Sequence, residues 1–238
     1  MKKKTALLLA VLLGMFTFAG CGNNQDTQQK VTETKEIKFS VPDGLPAIAS
    51  AKLIKEEPDI KDGYKISYTI EQSPESLTTS VMKGEPDVVI VPSNTAAIAY
   101  NKNKSYKIAG TIGWGSLYLG SSDKSGISDL KGKEIYNIGK GLTPDIVAKS
   151  VLKDKGIDID KDINFTYVNG VTELAPIILS GKAQYAVIPE PALSTVQSKN
   201  SDFTTIMDLN EEWKTINNSE YGFPQSTIIV KNDLIEND

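Results

Sequence analysis

From Glu36 onward the chain repeats one unit: a short run rich in β-branched and aromatic residues, a turn, then ten or so residues with helical spacing. EIKFSV precedes LPAIASAKLIKE, YKISYTI precedes SPESLTTSVMKGE, and DVVIV precedes SNTAAIAYN. This alternation predicts βαβ units in an α/β fold, with mainly parallel sheets and helices packed on both faces. The rhythm then breaks, because YKIAGTI and SLYLGSS are separated only by Gly113-Trp114-Gly115, too short for a helix. It restarts after a polar crossover spanning Ser122 to Lys131: EIYNI leads to TPDIVAKSVLKDKG, INFTYV to VTELAPIILSG, AQYAVI to EPALSTVQSK, and a strand-like FTTIMDL follows.

Two lobes are therefore expected, residues 36–121 and 122–219, with 220–238 returning to the first. The last stretch, QSTIIVKNDLIEND, reads as a strand and the first turn of a helix capped by Asn232 or Asp233. One helical turn is not stable alone, so the expectation is a chain that lacks its C-terminal helices.

The N-terminus follows different rules. MKKK is basic, TALLLAVLLGMFTF is apolar but short for a membrane span, and AGC follows, the layout of a secretory signal over residues 1–20. FAGC resembles a bacterial lipobox, which makes Cys21 a lipidation site. Residues 21–35 are polar, lack aromatics and read as a flexible tether.

Composition removes several chemistries. There is no histidine, a single cysteine, and every one of the 26 basic residues is a lysine. A Ser-His-Asp relay, a histidine metal site and a thiolate cage are all excluded, so no catalytic residue, metal or cofactor is expected. Without arginine no planar fork exists to grip an anion, leaving backbone N–H groups, hydroxyls, amides and lysine point charges. The net charge of −4 makes nucleic acid a poor partner.

In a parallel α/β sheet ligands collect where strands end and helices begin. The loops PDGLP, SPES, PSNTAA, GKGLTPD, NGVTE and PEPA occupy those places and combine turn residues with hydroxyls or amides suited to helix caps. GKGLTPD is not a phosphate-binding P-loop, because Lys140 stands between two glycines and Thr143 comes three residues later. It reads instead as a helix start, with Thr143 as cap, Pro144 at the first helical position and Asp145 complementing the dipole. A concavity of N–H groups there suits a modest anionic or polar group, with Lys140 either assisting or solvated. Trp114, between glycines, either stacks on a flat ligand or packs in the core. Glu190, between prolines, either accepts a hydrogen bond from a ligand or serves the dipole of the next helix.

PDGLPAIASAKL, MKGEPDVVIVPSNTAAIAYN, GKGLTPDIVAKSVLKDKGID and SGKAQYAVIPEPALSTV resemble the substrate-binding lipoproteins of ABC importers in the nitrate, sulfonate, taurine and thiamine-precursor group. The resemblance implies a type II periplasmic-binding-protein fold, two lobes joined by a two-strand hinge. It also implies a lipid-anchored, monomeric receptor outside the cell that passes an anionic or heterocyclic solute to a permease driven by a cytoplasmic ATPase. Carried over, the ligand-contacting positions are Asp43, Gly44 and Leu45; Ser73; Ser93, Asn94 and Thr95; Trp114, Gly115 and Ser116; Gly141, Leu142 and Thr143; Asn169; and Glu190. Two other classes fit the same scaffold, an enzyme resembling those of the menaquinone pathway and a ligand-sensing surface lipoprotein.

Overall fold

The computed structural model describes residues 34–123 and 126–237. The signal segment, Cys21 and nearly all of the tether lie outside the described residues.

In chain order the first part comprises β1 (Lys35–Pro42), α1 (Leu45–Ala49), α2 (Ala51–Glu56), β2 (Tyr64–Glu71), α3 (Pro74–Lys83), β3 (Val88–Pro92), α4 (Ser93–Asn103) and β4 (Tyr106–Trp114). Next come β5 (Leu117–Ser121), a 3-10 turn at Ile127–Leu130, β6 (Lys133–Ile138), α5 (Thr143–Asp154), β7 (Ile163–Val168) and α6 (Val171–Leu179). The chain continues through β8 (Tyr185–Pro189), α7 (Ala192–Lys199), β9 (Thr204–Asp208), α8 (Leu209–Asn217), β10 (Pro224–Lys231) and α9 (Asn232–Asn237).

The strands form two five-stranded sheets, β2-β1-β3-β10-β4 and β7-β6-β8-β5-β9. Each is mixed by the same rule. Three strands linked through helices run parallel, one strand inserts antiparallel beside them, and the edge strand beyond it runs in the original direction again. The expectation of mainly parallel sheets thus holds: in each sheet four strands run one way, and only β10 in the first and β5 in the second run against them.

Strand β5, grouped by sequence with the first lobe, pairs instead with β8 and β9 in the second sheet. The crossing between lobes therefore falls at Gly115-Ser116, ahead of the polar segment after Ser121. The chain returns between α8 and β10, and β10 inserts between β3 and β4 as the late β-run predicted. Two short connections thus join the lobes.

They meet at one side chain. Asn210, near the start of α8, lies against both: a Cβ on Gly115 would stand 1.9 Å from its Oδ1, and one on Gly222 1.8 Å. The same Oδ1 accepts from Phe223 N–H at 3.3 Å, and Gly115 N–H donates to Phe223 C=O at 3.1 Å. Only glycine fits at either position, because any β-carbon would overlap the amide.

Three apolar clusters hold the fold. Under α3 and α4, Leu77, Val81, Val89, Val91, Ala99 and Ile229 pack one face of the first sheet. Beneath α5 and α8, Leu119, Ile135, Val151, Leu152, Val187 and Leu209 pack one face of the second, and Ile138, Leu174, Ile178, Ile188 and Val196 pack its other face under α6 and α7. Each fully buried Val, Leu or Ile contributes about 1.5–3 kcal/mol from the area removed from water. Burying both faces of the second sheet explains the near-continuous apolar run YAVIP of β8, where Tyr185 to Ile188 are all buried.

Local signals account for most helix ends. Ser73 caps α3 by accepting from Ser76 N–H at 3.2 Å, and Gly84 ends it in the left-handed region at φ 72°. The predicted helix over LPAIASAKLIKE divides at Ser50 into α1 and α2. Helix α8 was not foreseen, although Asp208 caps it by accepting from Asn210 and Glu211 N–H. Among the described residues, no helix is long and apolar enough to cross a membrane.

Candidate functional site

The six strand-to-helix loops singled out in the sequence all reach the space between the lobes, as strand ends in two facing α/β sheets should. They line a cavity of about 110 Å³ that stays partly open to solvent. The first lobe supplies Pro42 to Pro46 after β1, Glu71, Gln72 and Pro74 after β2, and Pro92 after β3. The second supplies Ile138, Thr143 and Pro144, then Gly170 and Val171, then Pro189 to Pro191. Gln225 and Ser226 of β10 and Leu117 of β5 complete the wall beside the hinge.

The lobes touch across this space. Asn94 Nδ2 donates to Gly141 C=O at 2.9 Å, and the Thr143 hydroxyl donates to Asn94 Oδ1 at 3.1 Å. A Cβ on Gly170 would lie 2.6 Å from Gln72 C=O, so the two lobes meet backbone to backbone there. The arrangement is closed.

The predicted contact positions divide into those that line the cavity and those that support it. Asp43, Gly44, Leu45, Thr143 and Glu190 line it. Ser73 caps α3 and Ser93 Oγ lies 2.7 Å from Thr227 Oγ1, while Thr95 is fully buried with its hydroxyl unpartnered among the described residues. Asn169 is held by Glu173, whose Oε2 accepts from both its N–H and its Nδ2. Ser116 donates from N–H and Oγ to Gln225 Oε1, at 2.7 and 3.1 Å. Trp114, 47% exposed, leans on Tyr221 with ring centroids 5.8 Å apart, and lines an adjoining hollow with Leu45, Pro46, Ile112 and Gln225. It borders the cavity without entering it.

The GKGLTPD loop differs from its sequence reading. Helix α5 begins at Thr143 with Leu142 at the cap position, Pro144 falls second, and the Thr143 hydroxyl serves Asn94 instead of capping. The Gly141 N–H, expected to face an anion, donates to Asp145 Oδ2 at 2.9 Å. Asp145 is 3% exposed and also accepts from Lys149 Nζ at 3.0 Å and from the Tyr167 hydroxyl at 2.7 Å. Burial pushes the Tyr167 hydroxyl above its ordinary range, with Lys149 opposing and Asp145 adding to the shift. For Lys149, burial works against the charge, but Tyr167 and Asp145 outweigh it and hold the ammonium above its usual value. Lys140 turns its ammonium over the Tyr167 ring, 5.5 Å from the centroid.

Glu190 behaves as a helix acid: Oε2 accepts from Ser194 N–H at 3.1 Å and Oε1 from the Ser194 hydroxyl at 2.9 Å. It lines the cavity nonetheless. Glu71, Gln72, Gln225 and Ser226 were missed by the sequence reading. Glu71 and Gln72 end a predicted strand and were legible as loop residues, whereas Gln225 and Ser226 sit inside a returning strand that carries no ligand signal. No group of histidine, cysteine or acidic residues among the described ones is arranged to hold a metal ion.

Lobes and cleft together give a two-lobed α/β fold of the type II periplasmic-binding-protein kind. An ABC transporter protein from Parabacteroides distasonis shares 33% identity with this chain at a TM-score of 0.64, over 83% of this chain and 66% of that one. The alkanesulfonate-binding protein SsuA of Xanthomonas axonopodis pv. citri, solved with MOPS bound, has 15% identity and a TM-score of 0.66 over 84% of this chain and 66% of its own. The aliphatic sulphonate binding protein SsuA of Escherichia coli has 16% identity and a TM-score of 0.62 over 85% and 63%. The chain thus spans about two thirds of the length of these proteins. No protein-family profile and no curated protein matches it.

Proposed function

We propose that this protein is the solute-binding component of an ABC importer, held outside the cell by lipid on Cys21. It captures one small molecule between its lobes and presents the closed form to a permease. The observation that carries this reading is the interlobe cavity, lined by six strand-to-helix loops from both lobes, on a fold shared with a 33% identical ABC transporter protein. Two further neighbours of the same fold are sulfonate-binding proteins, which supports placement in the nitrate, sulfonate, taurine and thiamine-precursor group.

The mechanism is conformational and makes or breaks no covalent bond. An open state exposes the loop ends; solute bridging both walls adds contacts that only the closed state has, and shifts the population toward it. Because Asn94, Gly141 and Thr143 already bond across the gap, the solute need supply only the remaining difference between the two states.

Native mass spectrometry of the protein purified from its own cells tests the reading. One non-covalently bound small molecule per chain, returned unchanged on release, is expected, together with an acyl mass on Cys21. A released molecule that differs chemically from the one offered would make the protein an enzyme.

A further inference from the structure

Resting on the reading of the cleft as a solute site, we infer that the solute is an uncharged, largely apolar molecule, and that the cleft selects against ions of either sign. Seven of the chain's eleven prolines line this one cavity, which places rings without an N–H where the loops would otherwise present donors. Five of them sit at helix starts facing the gap: Pro46, Pro74 and Pro144 within the first two positions of α1, α3 and α5, and Pro92 and Pro191 at the caps of α4 and α7. A helix start holds an anion through its free N–H groups. Here proline removes one such group at five starts of six.

Much of what remains is already used inside the protein. The Gly141 and Ser194 N–H groups donate to Asp145 and Glu190, Asn169 N–H to Glu173, and Gly44 N–H to Asp43. No lysine lines the cavity and the chain has no arginine, so an anion would shed its water without gaining a countercharge. A cation fares no better. Glu71 and Glu190 turn their carboxylates to the Ser76 and Ser194 hydroxyls at exposed positions, and Asp43 accepts from Gly44 N–H.

What the walls do offer is apolar surface from both lobes. Leu45 contributes from the first, and Leu117, Ile138 and Val171 from the second, between the proline rings. The 110 Å³ space, roughly four waters' share of liquid volume, continues into the hollow of about 250 Å³ beside Trp114, because Leu45, Pro46, Gln225 and Ser226 line both. Trp114 and Ile112 are each 47% exposed there, and a flat apolar group can lie against the indole. Polar recognition falls to Gln225, whose Oε1 is held by Ser116 and whose Nε2 is left to donate to one acceptor on the guest. Moving such a guest out of water is favourable in itself, and its polar atom keeps a partner.

Isothermal titration with benzyl alcohol, benzoate and benzylammonium, three probes that share a ring and differ in charge, tests the inference. Benzyl alcohol should bind at least tenfold more tightly than either ion, with a negative heat-capacity change and little response to sodium chloride. Leu45→Ala and Trp114→Ala, both at exposed positions, should each weaken it severalfold while circular dichroism confirms that the fold is kept. Either ion binding as tightly as the alcohol, or alcohol affinity unchanged in both variants, would overturn the inference. Where no probe binds, the solute carried from the source cell decides: an uncharged, mainly apolar compound supports the inference, and an ionised one overturns it while leaving the receptor reading intact. A protein that carries nothing overturns both.

Discussion

Asn94 and Thr143 stand 49 residues apart in the chain and on opposite lobes, yet the Thr143 hydroxyl donates to Asn94 Oδ1 at 3.1 Å while Asn94 Nδ2 donates to Gly141 C=O. One amide thus uses both its ends to span the cleft. Each such bond contributes about 1 kcal/mol net, so Asn94→Ala should shift the open–closed balance by about 1–2 kcal/mol, roughly 5- to 30-fold. Spin labels on α3 and α6 should report a longer mean separation in the variant. An unchanged distance distribution would show that closure does not depend on this amide.

Gly170 tests closure from the other side. Its backbone is extended, so alanine is locally tolerated, yet the added methyl would lie 2.6 Å from Gln72 C=O. Gly170→Ala should keep the melting temperature of the solute-free protein within a few degrees while props between the lobes lower solute affinity tenfold or more. Calorimetry and titration on one preparation separate the two effects.

Asp145 anchors the α5 loop through Gly141 N–H, the Tyr167 hydroxyl and Lys149. Asp145→Ala leaves these donors unpaired around a buried site and should cost about 2–4 kcal/mol in urea unfolding. Asp145→Asn, which keeps the shape and part of the bonding, should cost less. Equal losses in both would assign the effect to packing instead of charge.

Tyr106 gives the protein an alkaline limit. Its ring is buried and its hydroxyl donates to Pro86 C=O at 2.7 Å. Burial, with Asp87 and Glu85 adding to it, pushes the hydroxyl up to about 12 from 10.0. The folded state thus keeps the proton that the unfolded chain releases first. Its stabilisation is complete below about pH 10 and fades as the pH rises toward 12. Thermal melts between pH 9 and 12 should fall less steeply for Tyr106→Phe than for the parent, although the variant starts lower for want of the hydrogen bond.

Strand positions were legible because β-branched runs such as DVVIV and EIYNI have few alternatives, and the cavity-lining loops followed from the rule that strand ends face ligands. Pairing was less legible. SLYLGSS belongs to the second sheet because β8 and β9, far along the chain, present the edges it joins, and nothing in its own residues names them. Helix α8 was readable from Asp208 and Glu211, three residues apart, but NEEWKTINN follows a strand so closely that the cap passed unnoticed. Functional roles were least legible. Asn94, Thr143 and Glu190 have the chemistry of ligand contacts, and only the folded arrangement reveals that each already has a protein partner.

Asn210 wedged against Gly115 and Gly222 has a mechanical consequence. Both covalent links between the lobes lie against the same amide, so a turn at one presses on the side chain that the other also touches. Bulk added at either glycine would jam a bearing some distance from the solute, altering how fast the protein loads and unloads without touching any group that recognises its cargo.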